Sequence, residues 1–256
     1  MSMLKEMKAG KLEVQVFDTR KSMGEASAKD VSAKIKELLS KKSEINMIFA
    51  AAPSQDDFLA ALRDDKSIQW EKINAFHMDE YIGLDPEAPQ GFGNFLKDRL
   101  FGKVPFKSVN YLNGNAESVD AECERYTALL KKYPTDIVCM GIGENGHIAF
   151  NDPHVAFFND PKMVKAVELD LKCRNQQVND GCFTSLDKVP THALTLTIPA
   201  LVASAFVYCI VPAKTKAEAV YKTVTGEITE KCPASILKKH EKATLYTETD
   251  SARMIL

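Results

Sequence analysis

Nowhere does the chain carry an uncharged apolar run long enough to cross a bilayer. Its first residues, MSMLKEMKAGKLEVQVF, contain no apolar stretch of the kind a secretory signal needs. Membrane insertion and export are therefore not expected. Charge of one sign is lacking too: 33 Lys and Arg stand against 35 Asp and Glu, a formal net charge of -2. Broad electrostatic binding to nucleic acid or to an anionic membrane needs a basic surplus, so neither partner is expected. A small basic pocket for a phosphorylated metabolite remains compatible with that balance. None of the six cysteines, Cys123, Cys139, Cys173, Cys182, Cys209 and Cys232, forms a CxxC pair, and Cys139 and Cys209 lie inside apolar runs. Free thiols in a reducing cytoplasm fit this better than a disulfide framework, and no cysteine is marked as a nucleophile. The five histidines show no HExxH or paired ligand spacing, which leaves a metal site unsupported. A Walker A sequence, internal repeats, low-complexity tracts and Pro/Gly/Ser linkers are all missing. One domain spanning 1–256 is the expectation.

What is present is an ordinary globular composition, 45% hydrophobic and 27% charged over 256 residues, enough to enclose a sizeable core. Short apolar runs rich in Val, Ile, Phe and Tyr at 12–17, 45–50, 73–78, 108–112, 136–141, 164–169, 192–198, 206–211 and 243–247 read as strands. Segments 22–41, 54–64, 118–132 and 214–224 between them carry apolar residues at helical spacing. Near-continuous apolar strands alternating with helices predict an α/β fold, an open and mostly parallel sheet covered by helices on both faces. The stretches 81–95 and 151–162 are the natural loop or lid regions.

Open α/β sheets gather ligands at the carboxyl ends of their strands, which singles out three segments. They are FAAAPSQDD after 45–50, MDEYIGL after 73–78, and GIGENGHIAFNDP after the strand at 136–141. In MDEYIGL, Asp79 and Glu80 fall where an apolar strand ends. A carboxylate held in a partly desolvated pocket has a raised pKa and can abstract a proton. Taken alone, a solvated turn or a helix cap explains adjacent acids better. In GIGENGHIAFNDP, Gly141, Gly143 and Gly146 permit positive φ and let backbone N–H groups converge on an anion. His147 is suited to shuttling a proton near neutral pH, and Asn145 and Asp152 lie near enough in sequence to orient its ring. A core histidine beside a tight turn explains the spacing equally well. The glycines satisfy GxGxxG as a pattern, yet Pro153 ends any following helix early, so a dinucleotide fingerprint is weak.

Three longer segments, FHMDEYIGL (76–84), YLNGNAESVDAECERY (111–126) and MGIGENGHIAFNDP (140–153), with PASIL at 233–237, take the reading further. Together they resemble the glucosamine-6-phosphate deaminase family, relatives of the 6-phosphogluconolactonases, over residues 45 to 247. The resemblance implies a Rossmann-like fold and a cofactor-independent aldose–ketose isomerase/deaminase, hydrolytic in its net reaction. Its substrate would be glucosamine 6-phosphate or the galacto epimer, turned into a ketose 6-phosphate and ammonia. On the same footing Asp79 takes the C2 proton, and His147 assists ring opening with Asn145 and Asp152 orienting it. Ser54, Gln55, Glu80, Gly146, Arg174 and Lys216 fall at substrate- and phosphate-binding positions. The family includes monomers and larger assemblies, so a homo-oligomer stays open.

Three departures from the family pattern carry expectations of their own. Its phosphate-cradling loop is Gly-rich with Ser or Thr, whereas this chain has Ala51-Ala52-Pro53-Ser54-Gln55, in which Pro53 has no N–H to donate. Ser54 keeps a hydroxyl and is expected to cap the helix at 55–64. Asn145 orients His147 without the charge of a carboxylate. Asp152 replaces Glu and reaches about 1.5 Å less, so its loop must approach closer or a water must bridge. The alternatives are lactone hydrolysis on the same fold, and a sugar-phosphate binder without turnover that follows from decay of the cradle. Trp70 and the pair Phe157-Phe158 read as packing or lid contacts, and His77 as packing or pocket wall.

Overall fold

The computed structural model describes residues 2–256; Met1, which the 1–256 domain expectation includes, lies outside the described residues. The chain opens with an antiparallel hairpin of β1 (Met3–Ala9) and β2 (Leu12–Phe17), followed by α1 (Arg20–Leu39). Thr19 starts α1, its hydroxyl accepting from Ser22 N. Strand β3 (Ile45–Phe49), α2 (Asp56–Asp64), β4 (Ile73–His77) and the three-residue β5 (Asp79–Tyr81) come next. Then follow α3 (Phe92–Leu96), β6 (Ser108–Asn110), α4 (Val119–Lys132), β7 (Ile137–Met140), β8 (Val164–Glu168) and α5 (Leu171–Asn179). The remainder is β9 (His192–Leu196), α6 (Ile198–Val202), β10 (Phe206–Val211), α7 (Ala217–Thr225) and β11 (Ala243–Glu248).

Eight strands form one sheet in the order β1-β2-β11-β10-β7-β3-β4-β6, parallel throughout except for β1 at its edge. Strands β3, β4 and β7 are buried at every position, and successive side chains serve opposite faces. Ile48, Phe76, Val138 and Cys209 pack into one core, while Met47, Phe49, Ala75 and Ile137 pack into the other. That double burial is what the continuous apolar runs encoded. The second core is rich in edge-on aromatic contacts, among them Trp70 against Phe106 at 4.9 Å between centroids. Trp70 is therefore packing, whereas Phe157 is exposed. Among the described residues no helix is long and apolar enough to cross a membrane.

The expected strands at 164–169 and 192–198 form, but not within the parallel sheet. β8 and β9 pair antiparallel with β5 in a separate three-stranded sheet, order β5-β9-β8. The region 81–95, expected to be loop or lid, is bounded by ordered structure: Tyr81 closes β5 and Phe92 opens α3. Region 151–162 is irregular as expected.

Chain order places the site. From β3 the sheet grows one way through β4 to β6, and the other way through β7, β10, β11 and β2. The order reverses between β3 and β7, so the crevice at their carboxyl ends is the topological switch point. Just beyond it, Gly83 N donates to Gly114 O, and a methyl group at Gly114 would overlap the carbonyl oxygen of Tyr81. Gly114→Ala is expected to destabilise the fold by about 1–3 kcal/mol, measured by urea unfolding against the parent chain.

Candidate active site

The loops leaving β3 and β7 meet residues of β5 and α5 around one cavity of about 60 Å³. Its lining includes Ser54, Gln55, Asp79, His147, Gln177 and Lys216, with Phe92 and Phe150 as apolar walls. Residues as far apart as Ser54 and Lys216 thus converge where the sheet topology opens.

Asp79 comes to the cavity through the second sheet. It pairs with Thr195 of β9, and the Thr195 hydroxyl accepts from Phe150 N at 3.1 Å, tying the small sheet to the histidine loop. Alternation along β5 turns Asp79 into this cavity, while Glu80 lines a neighbouring one. Asp79 is buried, and that burial, helped by the charge of Glu80, pushes its carboxyl well above the usual carboxylate range. Glu80 does not line that cavity. Its carboxylate accepts from Phe92 N at 3.0 Å and from Gly93 N at 2.8 Å, holding the start of α3 and with it the Phe92 wall. Behind Asp79, the fully buried His77 donates from Nδ1 to Asp79 O at 2.9 Å and accepts Leu112 N on Nε2 at 2.9 Å. Burial lowers its pKa to about 4, so it serves as a neutral brace and part of the packing.

His147 stands on a turn, held by two side chains. Its Nδ1 lies 2.7 Å from Asn145 Oδ1 and 3.1 Å from an oxygen of Asp152, which turns Nε2 to the cavity. Asn145 in turn donates to Asp152 at 2.8 Å and to Asp170 at 2.9 Å, which fixes its carbonyl toward the ring. The short Asp152 side chain thus reaches His147 directly, by close approach of its loop. Burial raises the Asp152 pKa, but hydrogen bonds and charge from His147, and hydrogen bonds from Asn145 and Asp170 N, outweigh it and leave the pKa lowered. A carboxylate with a depressed folded-state pKa adds stability above its unfolded pKa, and loses it as pH falls through the folded one. Asp152→Asn is therefore expected to lose about 1–3 kcal/mol of unfolding free energy at neutral pH. The gap to the parent should close in acid, as read by chemical denaturation across pH.

Of the three glycines expected to permit positive φ, only Gly146 adopts it, at 87°. Gly143 is needed for space instead: a methyl group there would overlap the His147 ring. Gly146 does not line the cavity, and its carbonyl accepts from Ala234 N of the PASIL segment. Its role is to shape the turn.

At the opposite wall, Lys216 is buried and its Nζ has no hydrogen-bond partner among the described residues. Burial lowers its pKa even though Asp180 and Glu144 lie near. An unpaired ammonium held out of water calls for an anion. Ser54 does not cap α2, which follows a short turn over Pro53–Gln55; its hydroxyl faces the cavity and accepts from Gln55 Nε2 at 3.3 Å. Arg174 is the clear correction. Its guanidinium donates to Leu186 O and Val189 O, both at 2.8 Å, and lines a separate surface hollow. Gln176 and Gln177, two and three residues further along α5, occupy the wall the arginine was expected to reach. They escaped the sequence reading because 171–179 is too polar to show an apolar face, although Asp170 ahead of it is a cap, accepting from Cys173 N. His147, Asp152 and Cys173 bring nitrogen, oxygen and sulfur within 4.8 Å, a donor set of the kind that holds zinc. Burial and the carboxylates of Asp152, Asp170 and Asp79 push the Cys173 thiol up.

The family model of glucosamine-6-phosphate isomerases/6-phosphogluconolactonase matches residues 18–246, nearly the whole chain. The chain belongs to this family. A glucosamine-6-phosphate deaminase of Lactobacillus delbrueckii subsp. bulgaricus is 32% identical over 247 residues, 96% of each chain. A monomeric glucosamine-6-phosphate deaminase of known structure superposes with a TM-score of 0.85 at 30% identity, covering 97% of this chain and 100% of that one. A 6-phosphogluconolactonase from Thermotoga maritima shares the fold at a TM-score of 0.73 and 20% identity, covering 92% and 98%. Within the glucosamine-6-phosphate isomerase/6-phosphogluconolactonase family, the Rossmann-like fold expected from the motifs is thus borne out.

Proposed function

We propose that this chain is an amino-sugar-phosphate isomerase/deaminase that converts glucosamine 6-phosphate, or its galacto epimer, and water into a ketose 6-phosphate and ammonia. One observation carries the reading. A buried carboxylate, Asp79, and a braced imidazole, His147, share a cavity whose far wall holds the unpaired ammonium of Lys216. The deaminase relatives support the same chemistry.

With the phosphate against Lys216, the Ser54 hydroxyl and the Gln177 amide, the sugar spans toward His147. His147 Nε2 passes the C1 hydroxyl proton to the ring oxygen, which breaks the ring C–O bond and leaves an open aldehyde. Asp79 then removes the C2 proton while the C1 oxygen gains one, giving an enolamine. Return of the Asp79 proton to C1 leaves an iminium at C2. Water adds there and ammonia departs. Water enters only in that last step, so isomerase/deaminase describes the work of the site better than hydrolase. Every group named belongs to one chain, and 1–256 acts as one catalytic unit in this reading. Six free cysteines accord with a reducing, cytoplasmic setting. Purified protein incubated with each epimer should release ammonia with ketose phosphate in equal amount; no release from either would sink the proposal.

A further inference from the structure

Two neighbouring glutamines on α5 face the cavity in different circumstances. The Gln176 amide is engaged on both sides, accepting from Glu144 N at 2.8 Å and donating to Asp180 at 3.3 Å. Gln177 is buried in the wall beside it, has no side-chain hydrogen bond among the described residues, and also borders a neighbouring hollow lined by Pro53, Phe95 and Arg99. Among the described residues that line the cavity, Lys216 is the only lysine or arginine. Arg174 is turned away to Leu186 O and Val189 O. Arg20 is held by Asp57 and Pro53 O, and Arg99 by Asp56 and the Phe95 ring.

Backbone help is uncharged and only partly committed elsewhere. In the loop after β3, Ala50 N donates to Cys139 O, Gln55 N donates to Ala52 O, and Pro53 has no N–H. Helix α2 opens on Asp56 and Asp57, whose carboxylates offset the positive end of its dipole. A first negative charge here meets Lys216. A second one gives up its hydration and finds only neutral donors.

We propose that Gln177 determines how this site reads the anionic end of its substrate, and that its neutral amide leaves the pocket unable to distinguish a doubly charged phosphate ester from a singly charged ester. The inference rests on the sugar-phosphate reading of the site and adds a charge class to it.

The test uses two ligands that lack a reducing carbon and cannot turn over, a hexitol 6-phosphate and the matching hexitol 6-sulfate. In mildly alkaline buffer the phosphate ester is a dianion, its second pKa lying near about 6, and the sulfate ester a monoanion. Titration calorimetry on the parent chain should give dissociation constants within about threefold of each other. Gln177→Arg adds a charged fork and should favour the phosphate ester over the sulfate by about tenfold to a hundredfold. Gln177→Leu, which introduces no charge, should weaken both esters by similar factors. A parent that already prefers phosphate by more than about tenfold, an unchanged ratio in Gln177→Arg, undiminished binding in Gln177→Leu, or no binding of either ester would each overturn the inference. Should Gln177→Arg fail to fold, the parent ratio and Gln177→Leu decide. Ammonia release is read separately: binding of both esters without turnover keeps this inference and removes the deaminase reading.

Discussion

Asp79→Asn is expected to lower kcat for ammonia release by a factor of about 10²–10⁴ or more, with little change in substrate affinity. The amide fills the same space but has no basic oxygen for the C2 proton. Solvent deuterium should therefore stop appearing at the sugar's C1 and C2, which NMR of the recovered substrate and product reads directly. The same variant should be at least as stable as the parent at neutral pH. Burial and Glu80 raise the folded-state pKa of Asp79 above its unfolded value. For an acid shifted in that direction, the folded chain binds the proton more tightly. The contribution to stability is present at low pH and is lost as pH rises through the folded pKa. Removing the charge removes that cost. A thermal midpoint that falls sharply in Asp79→Asn would show that the carboxylate holds the fold rather than the reaction.

His147→Gln should lower kcat by a comparable factor of about 10²–10⁴ but for a different step. If His147 moves the proton that opens the ring, its loss makes ring opening the slow event. A C2-deuterated substrate then becomes diagnostic. The parent should show a primary isotope effect, and the variant should lose it, because C–H cleavage no longer limits the rate. An undiminished isotope effect in His147→Gln would move the residue from ring opening to the enolisation itself. Asn145 and Asp152 act through His147, at 2.7 and 3.1 Å from its Nδ1. Substitutions there should share the loss of isotope effect in weaker form.

Much of this was legible in the sequence, for identifiable reasons. The parallel strands announced themselves because both faces are buried, so apolar residues run without interruption through Ile45–Phe49 and Ile137–Met140. β1 escaped because it is a largely exposed edge strand with Lys5, Glu6 and Lys8 among its seven residues, and β5 because three residues, two of them acidic, carry no pattern. Which sheet β8 and β9 join was not readable, since a strand's own residues do not name its partner. At the site, Asp79, His147, Ser54, Gln55 and Lys216 line one cavity, and Asn145 and Asp152 sit against His147. Arg174 does not line the cavity, because a motif gives residue type while the phase of a helix gives direction. Three residues along α5 is about 4.5 Å of rise and about 60° of rotation, and that displacement separates the cavity wall from the Leu186 and Val189 carbonyls.

The brace of His77 between Asp79 O and Leu112 N has a consequence for how this chain tolerates insertion and deletion. The backbone leaves the large sheet at His77 and joins the small one at Asp79, with Met78 as the sole spacer. Asp79 is therefore placed by strand register rather than carried on a loop. One residue inserted between Met78 and Asp79, with β4 and Met78 held, would put the new side chain where Asp79 belongs, and should silence the chain even if it folds. Several residues inserted at 85–89, in the turn beyond Gly83, leave that register untouched and should be accepted. Length variation at this site is thus licensed by position along the chain rather than by distance from the chemistry.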